Sequence, residues 1–357
     1  MFQFDQAKAL KNLGVDVRIV TLDLRSARRL RSWRSSSFKK DEISTYTVNY
    51  PCGRVSSCIL NIIGKYAAQK AFKNVCSDGW FPDIIHAHFT DIAYYFTDVA
   101  KQCKIPFIIT EHNSELCKNK PIDHVIKQAL YSYAEADQIV SVSPILANNI
   151  KKHTGYEVVI INNIVDTKIF KYSNNSRENR AFTFISAGSL IYGKGMDILI
   201  KAFSTIKRKD VKLIIMGDGP KRNELSKLAE KLGCMNQIIF HGSYVRKDLS
   251  KFFKESDCFV LASRLETFGV VYIEALASGL PIIATKCGGP EIFTNETNGL
   301  LVPVEDIDSL AKAMEHMILN INRYNLEEIS KYAYKEFSPN NIATKIFNLY
   351  KKVIDKG

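Results

Sequence analysis

The chain has 357 residues, 46% hydrophobic and 24% charged, which suits two cored domains and excludes a disordered tail or a disulfide-stapled miniprotein. Lys and Arg total 49 against 37 Asp and Glu, a net charge of +12 that favours an anionic partner without naming one. No apolar run reaches the roughly 18 residues of a membrane helix, and Met1-Phe2-Gln3-Phe4-Asp5 does not read as a signal peptide.

In chain order, Gln6–Leu13 has helical spacing, Val15–Leu22 reads as a strand, Ser44–Val48 as a weaker strand and Cys58–Val75 as a long helix. Strands at Asp83–His86, Phe107–Thr110, Gln138–Val142 and Glu157–Ile161 then alternate with helices at Ile92–Cys103, Ile122–Ala134 and Ile145–His153. The stretch Lys171–Arg180 is polar and aperiodic, and marks the seam between a first domain, 1–170, and a second, 171–338. A C-terminal helix, 339–357, is expected to pack back on the first domain.

Beyond the seam the alternation is cleaner. Apolar runs at Phe182–Ser186, Val211–Met216, Ile238–Phe240, Cys258–Leu261, Pro281–Ala284 and Gly299–Val302 are separated by helical patterns at Met196–Ile206, Lys221–Leu232, Lys247–Glu255, Gly269–Ala277 and Asp308–Ile318. Short continuous apolar strands between helices predict parallel sheets covered on both faces, so the fold class is α/β with two Rossmann-like domains. The eight cysteines form no C-x-x-C pair, and several lie in apolar runs. They read as reduced thiols in cores.

A doubly wound domain ordinarily starts with a strand and a Gly-rich turn. Here the first element is a helix. Either the first domain is built differently or its first strand is missing, as in a truncated or mis-started reading frame.

The segment Ser263-Arg264-Leu265-Glu266-Thr267-Phe268-Gly269-Val270-Val271-Tyr272-Ile273-Glu274 follows one strand and opens a helix. The amides of Phe268, Gly269 and Val270 would be first-turn donors suited to a phosphate. Glu266 and Glu274 could each accept hydrogen bonds from vicinal hydroxyls of a sugar or ribose; the bland alternative is a cap and a surface residue. Three Gly-bearing turns, at Gly188-Ser189 through Lys194-Gly195, Gly217-Asp218-Gly219-Pro220 and Gly288-Gly289-Pro290-Glu291, each follow a strand.

Taken together, Glu266–Glu274, Gly279-Leu280-Pro281-Ile282-Ile283-Ala284-Thr285, Gly288-Gly289-Pro290-Glu291-Ile292 and Asn298-Gly299-Leu300-Leu301-Val302-Pro303 resemble the donor domain of glycosyltransferase family 4, retaining enzymes of the GT-B fold. The first half holds the family's order more weakly in Asp83–His88, Ile109-Thr110-Glu111-His112, Val142-Ser143 and Asn163-Ile164-Val165-Asp166. The resemblance implies GT-B architecture, with an acceptor-side domain and a nucleotide-sugar donor domain facing a cleft. It implies that Glu274 holds the ribose, Glu266 the donor sugar's hydroxyls, and Lys194 with the Phe268–Val270 amides the leaving diphosphate. Gly188, Ser189, Gly217, Arg264 and Thr267 complete the donor side. His88 would position sugar or acceptor. It is preferred to His86 as nearer the strand's C-terminal end, and the His-x-His alternation is expected to put one histidine on each face. His112 falls on the acceptor side.

Ser189 stands where the family commonly has an arginine, and Arg264 is the candidate to compensate. The family's first strand and glycine-rich loop are missing from the order. No metal or other cofactor is implied: Asp306-Ile307-Asp308 reads as a helix cap, and a zinc site of His86, His88 and His112 is not favoured.

Arg25, Arg28, Arg29, Arg31, Arg34, Lys39 and Lys40 cluster around Leu30, Trp33 and Phe38 with no acid among them. They suit an anionic membrane surface or a lipid-linked acceptor; nucleic acid is not expected, since no recognition motif accompanies them. The expected activity is transfer of a sugar from a UDP- or GDP-sugar to a glycan or lipid-linked glycan in cell-surface polysaccharide synthesis, in the cytoplasm or at the inner face of the membrane. The alternatives are an inactive nucleotide-sugar-binding remnant and a sugar-nucleotide epimerase.

Overall fold

The structure, a computed structural model, describes residues 2–24, 35–50, 52, 55–173 and 181–355. Arg25, Arg28, Arg29, Arg31, Trp33 and Arg34 lie outside the described residues, as does most of the polar stretch 171–180. The chain divides into two compact units, Met1–Asn162 with Pro339–Gly357, and Asn163–Ser338. No helix among the described residues is long and apolar enough to cross a membrane.

The first unit opens with α1 (Phe2–Asn12), followed by β1 (Arg18–Asp23), β2 (Ser35–Lys40), β3 (Ile43–Asn49) and α2 (Ser57–Val75). It continues with β4 (Ile85–His88), α3 (Thr90–Cys103), β5 (Phe107–Glu111), α4 (Asp123–Tyr133), β6 (Gln138–Ser141), α5 (Pro144–Thr154) and β7 (Val159–Ile160). Strands β4-β5-β6-β7 make one parallel sheet, and β1-β3-β2 a second in which only β2 is antiparallel. Among the described residues no strand precedes α1, and β1 and β4 each stand at a sheet edge.

Two expectations shift. The strand expected from Val15 begins at Arg18, because Gly14, with φ +88, ends α1 and the Val15 amide still bonds the Leu10 carbonyl at 3.3 Å. The end of the basic cluster, Ser35–Lys40, is a strand joined to β3 through Asp41 and Glu42, both at positive φ. Two consecutive positive φ values are what a tight hairpin of this hand requires.

The second unit contains β8 (Phe182–Ala187), α6 (Met196–Ser204), β9 (Val211–Met216), α7 (Arg222–Lys231), β10 (Ile238–Gly242) and α8 (Arg246–Lys254). Then come β11 (Cys258–Leu261), α9 (Val270–Ala277), β12 (Ile282–Thr285), β13 (Gly299–Val302), α10 (Ile307–Asn320) and α11 (Leu326–Phe337). Its six strands are all parallel in the order β10-β9-β8-β11-β12-β13. Every residue of β11 and β12 is buried, as expected of central strands covered on both faces. Helix α6 packs against α7 and α10, and α9 against α11. Residues Asn163–Phe170 belong to this unit: the Val165 amide bonds the Phe337 carbonyl at 2.9 Å, and Phe170 packs on Phe253.

The chain's final helix, α12 (Pro339–Ile354), lies in the first unit beside α1. Asp306 caps α10: its Oδ1 accepts the Ser309 amide at 2.9 Å.

Candidate active site

In the second unit the strand order reverses direction between β8 and β11, since each half winds outward from there. Ligands of open α/β sheets bind at the strand C-termini beside such a switch point. The turns following β8 and β11 are therefore the place to look.

The turn after β8 interlocks with the turn after β9. Gly188 donates to the Met216 carbonyl at 3.0 Å, and Leu190 to the Asp218 carbonyl at 3.0 Å. A Cβ on Gly217, whose φ is +143, would stand 1.9 Å from the Gly188 oxygen. Only glycine lets the two backbones approach this closely. Ser189 is exposed on that turn.

Across the switch point, Lys194 meets Glu266: Nζ donates to Oε1 at 2.5 Å. Ser263 Oγ donates to the same oxygen at 2.8 Å. The Glu266 side chain is 10% exposed and that of Lys194 26%, so the pair is largely shielded from water and less screened than a surface ion pair. Glu266 is also held by its backbone, receiving the Gly289 amide at 2.9 Å and donating to the Cys287 carbonyl at 3.2 Å. The Gly288 turn is thus part of the frame.

Glu266 leads through half-buried Thr267 and buried Phe268 to Gly269, which enters α9 at φ +87. The first backbone bond of that turn runs from the Tyr272 amide to the Gly269 carbonyl, 3.0 Å. The amides of Phe268, Gly269 and Val270 precede it, at the positive end of the helix, where an anion is favoured.

Glu274 lies inside α9 and is buried. Arg246, the first residue of α8, donates from Nε to its Oε1 at 3.0 Å and forms an ion pair with it, Nη2 lying 2.9 Å from the same oxygen. Arg246 also stacks on Phe170, 5.2 Å from the ring centroid. No sequence signal marks this partner, because Arg246 lies 28 residues upstream in an ordinary basic helix start.

Arg264 is placed differently from expectation. Its Nη1 and Nη2 bond the two oxygens of Asp197 at 2.9 and 2.8 Å, its Nε pairs with Glu305, and its guanidinium lies 3.7 Å over the Tyr192 ring. The Asp197 carboxylate raises the Arg264 pKa further. Arg264 clamps the loop before α6 to the loop before α10, and so does not replace the arginine missing at Ser189.

In the first unit the candidates gather at the ends of β4 and β5. His86 and His88 are two residues apart and therefore share one face of the strand; their rings stack at 4.6 Å, which corrects the expectation of one on each face. His88 Nδ1 lies 3.1 Å from His112 Nε2. His86 is held by the Tyr350 hydroxyl at 2.7 Å and Thr110 Oγ1 at 2.6 Å. Phe89, directly after His88, adopts φ +71, a strained value that costs on the order of 1–3 kcal/mol and often marks a functional turn.

Burial lowers the pKa of His88 to about 4 and those of His86 and His112 well below the usual 6.5. Behind them, burial raises Glu111 to about 7, against the opposing hydrogen bonds from Tyr133 and Thr90. The signs oppose each other. Between pH 6.5 and 4 the unfolded chain takes up protons that the folded histidines refuse, so stability is lost as pH falls. Glu111 keeps its proton in the folded state, so its share of stability is lost as pH rises from about 4.5 to about 7. Glu111→Gln removes that counter-slope. On acidification from pH 7 to 5 the variant is expected to lose about 2 kcal/mol more than wild type. Urea unfolding followed by tryptophan fluorescence reads this, since Trp80 belongs to the first unit. Identical slopes would contradict the burial of a protonated Glu111.

Known families match the chain along most of its length. Residues 3–169 match the family described as Glycosyltransferase Family 4, and residues 167–336 match Glycosyl transferases group 1. The chain is 27% identical over 292 residues to an uncharacterized glycosyltransferase of Methanocaldococcus jannaschii, covering 75% of each chain. Sucrose-phosphate synthase from Thermosynechococcus elongatus is similar in structure, with a TM-score of 0.83 at 18% identity, covering 100% of this chain and 93% of that one. HepE of Anabaena, solved in complex with UDP, has a TM-score of 0.73 at 18% identity, covering 87% of each chain. The fold is GT-B.

Proposed function

The chain belongs to the glycosyltransferases, family 4 in its first half and group 1 in its second, and we propose that it is a retaining enzyme using a UDP- or GDP-sugar. The acceptor in this reading is a glycan or lipid-linked glycan of cell-surface polysaccharide synthesis. Peripheral contact with an anionic membrane surface, through the basic stretch 25–34, belongs to the same proposal.

One observation carries it: the Lys194–Glu266 contact at the switch point, beside the helix entry at Phe268–Val270. A cation and a row of amides beside a carboxylate, at the C-terminal ends of β8 and β11, suit the diphosphate and the sugar of a nucleotide sugar. Lys194 and the amides suit the diphosphate, and Glu266 suits the hydroxyls of the sugar. Glu274, further along the same helix, suits the ribose. HepE, with its bound UDP, supports a nucleotide as the leaving group.

The chemistry follows from the charges. The bond from the anomeric carbon to the diphosphate oxygen breaks, its electron pair leaving with the phosphate. Lys194 and the α9 amides stabilise that developing charge where it appears, which is the form of stabilisation that accelerates a reaction most. The acceptor hydroxyl bonds the anomeric carbon on the same face, and its proton passes to the departing phosphate oxygen. His88 is neutral above pH 5 or so, given its pKa of about 4, and serves to position sugar or acceptor by hydrogen bonding.

The test is turnover of a panel of UDP- and GDP-sugars, with the anomeric proton of the product followed by NMR. Release of nucleoside diphosphate with the donor's anomeric configuration kept is the expected outcome. Inversion contradicts the retaining mechanism, and a changed nucleotide sugar with no nucleotide released identifies an epimerase.

A further inference from the structure

We propose that the ring of Tyr192 is a stacking platform for a sugar ring of the acceptor. The inference rests on the reading of the switch point as a nucleotide-sugar site and adds a place for the second substrate. Tyr192 is 64% exposed and Ile191, beside it, 45%. Both lie in the connection from β8 to α6 that also carries Lys194. Exposed aromatic rings with a polar tip are the side chains most often used to meet a partner that is part apolar and part wet.

The ring is exposed and yet fixed. The Arg264 guanidinium lies over one face, 3.7 Å from the ring centroid, and its Nη1 donates to the Tyr192 carbonyl at 2.5 Å. The Arg264 amide donates to the Gly193 carbonyl at 2.9 Å, and the Gly195 amide to the Tyr192 carbonyl at 3.2 Å. The Arg264 side chain is itself 11% exposed and anchored on Asp197 and Glu305. One face of the ring is thus spent on a rigid support, and its exposure belongs to the other face and the edge. A ring already held in place loses little freedom when a ligand covers it, so more of the contact appears as affinity.

The chemistry of the open face selects the ligand. An aromatic face carries partial negative charge, which complements the C–H hydrogens on one face of a sugar ring. A cation there would be opposed by the guanidinium behind the ring. An anion would gain nothing, because two carboxylates, Asp197 and Glu305, stand around that one guanidinium. A neutral ring with a C–H face fits best. Position then separates acceptor from nucleotide. Tyr192 stands two residues before Lys194, and its support Arg264 two before Glu266, so the platform flanks the Lys194–Glu266 contact. That is the end proposed for the donor sugar, where an acceptor hydroxyl has to arrive.

The test is saturation-transfer NMR on the full chain with the methyl glycosides of glucose, galactose, mannose and N-acetylglucosamine. Wild type, Tyr192→Ala and Tyr192→Phe are compared, with affinity for UDP and GDP measured in parallel by calorimetry. At least one glycoside is expected to receive saturation in wild type, most strongly at the C–H protons of one face of its ring. Tyr192→Ala is expected to weaken that glycoside by about fivefold, the scale of one aromatic stacking contact, and to keep its nucleotide affinity. Tyr192→Phe keeps the ring and loses only the hydroxyl, so it should match wild type. No saturation of any glycoside in wild type, or equal affinity in wild type and Tyr192→Ala, overturns the inference. So does a loss in Tyr192→Phe as large as in Tyr192→Ala, which would assign the contact to the hydroxyl. A loss of nucleotide affinity in Tyr192→Ala would give the ring to the donor's base and overturn the inference as well. If wild type binds neither UDP nor GDP, the nucleotide-sugar reading of the site fails instead, whatever the glycosides do.

Discussion

Lys194→Ala is expected to lower the rate of nucleoside diphosphate release by about 10²–10³-fold, the loss typical of removing one preorganised group that stabilises developing charge. Lys194 is positioned from three directions: it follows β8, ends a tight turn closed by Gly195, and bonds Glu266 across the switch point at 2.5 Å. The negative charge on the diphosphate grows as the glycosidic bond breaks, so the lysine interacts more strongly with the transition state than with the bound donor. The loss should therefore fall on kcat. Part of it will come from leaving the Glu266 carboxylate, 10% exposed, without its cation. Comparing Lys194→Ala, Glu266→Gln and the double variant separates the two, because contacting residues are not additive. A Lys194→Ala enzyme with unchanged kcat and a raised KM would show that the lysine only binds the donor.

Gly195→Ala is expected to destabilise the second unit by about 3–5 kcal/mol, the range of the most damaging single substitutions. Its φ is +61, and an added Cβ would stand 1.8 Å from the carbonyl oxygen of Ala262 and 2.7 Å from its carbon. Both are backbone atoms at the end of β11, so no side chain can move aside. Relief requires separating the β8 and β11 turns, which also separates Lys194 from Glu266. Donor binding should fall together with stability. Gly193→Ala, two residues away, is the control: a Cβ there meets nothing within 4 Å, so thermal unfolding should shift by less than about 1 kcal/mol. Equal effects at the two glycines would contradict the close approach of the two turns.

Much of the second unit was legible in the sequence. Strands such as Cys258–Leu261 are continuous apolar runs, and a run of that kind between helices has few other places to go than the middle of a parallel sheet. The Gly-rich turns were legible for the same reason, since each follows a buried strand. The first unit was less so. The β2–β3 hairpin turns on Asp41-Glu42, which lacks the Asn-Gly or Asp-Gly pair that marks such a turn in a sequence. Helix α11 went unread because its polar surface residues, Glu327, Glu328 and Lys331, surround a narrow buried stripe of Ile329, Ser330, Ala333 and Phe337.

Within the site, what the sequence showed were residues close to one another along the chain, and what it hid were partners brought together by the sheet. Glu266 and Glu274 stand eight apart on one loop and helix, so the sequence alone suggests both as candidates. Arg246 reaches Glu274 only because α8 returns from the sheet edge. Arg264 sits in the right loop for a phosphate contact, yet its guanidinium geometry matches Asp197, with two bonds to two oxygens. Sequence position gives the loop; the nearest well-placed carboxylate decides where the side chain goes.

In the proposed function, the β8 and β11 turns, with α9, form a nucleotide-sugar site whose ribose partner is Glu274. The most direct measurement is nucleoside diphosphate release from the panel of UDP- and GDP-sugars by wild type and by Glu274→Ala, with folding of the variant checked by circular dichroism. At least one donor is expected to turn over in wild type and to lose tenfold or more in kcat/KM in the variant. Turnover that is equal in the two proteins, or a wild-type chain that releases nucleotide from none of the donors, would rule out Glu274 as the ribose partner of a nucleotide-sugar site.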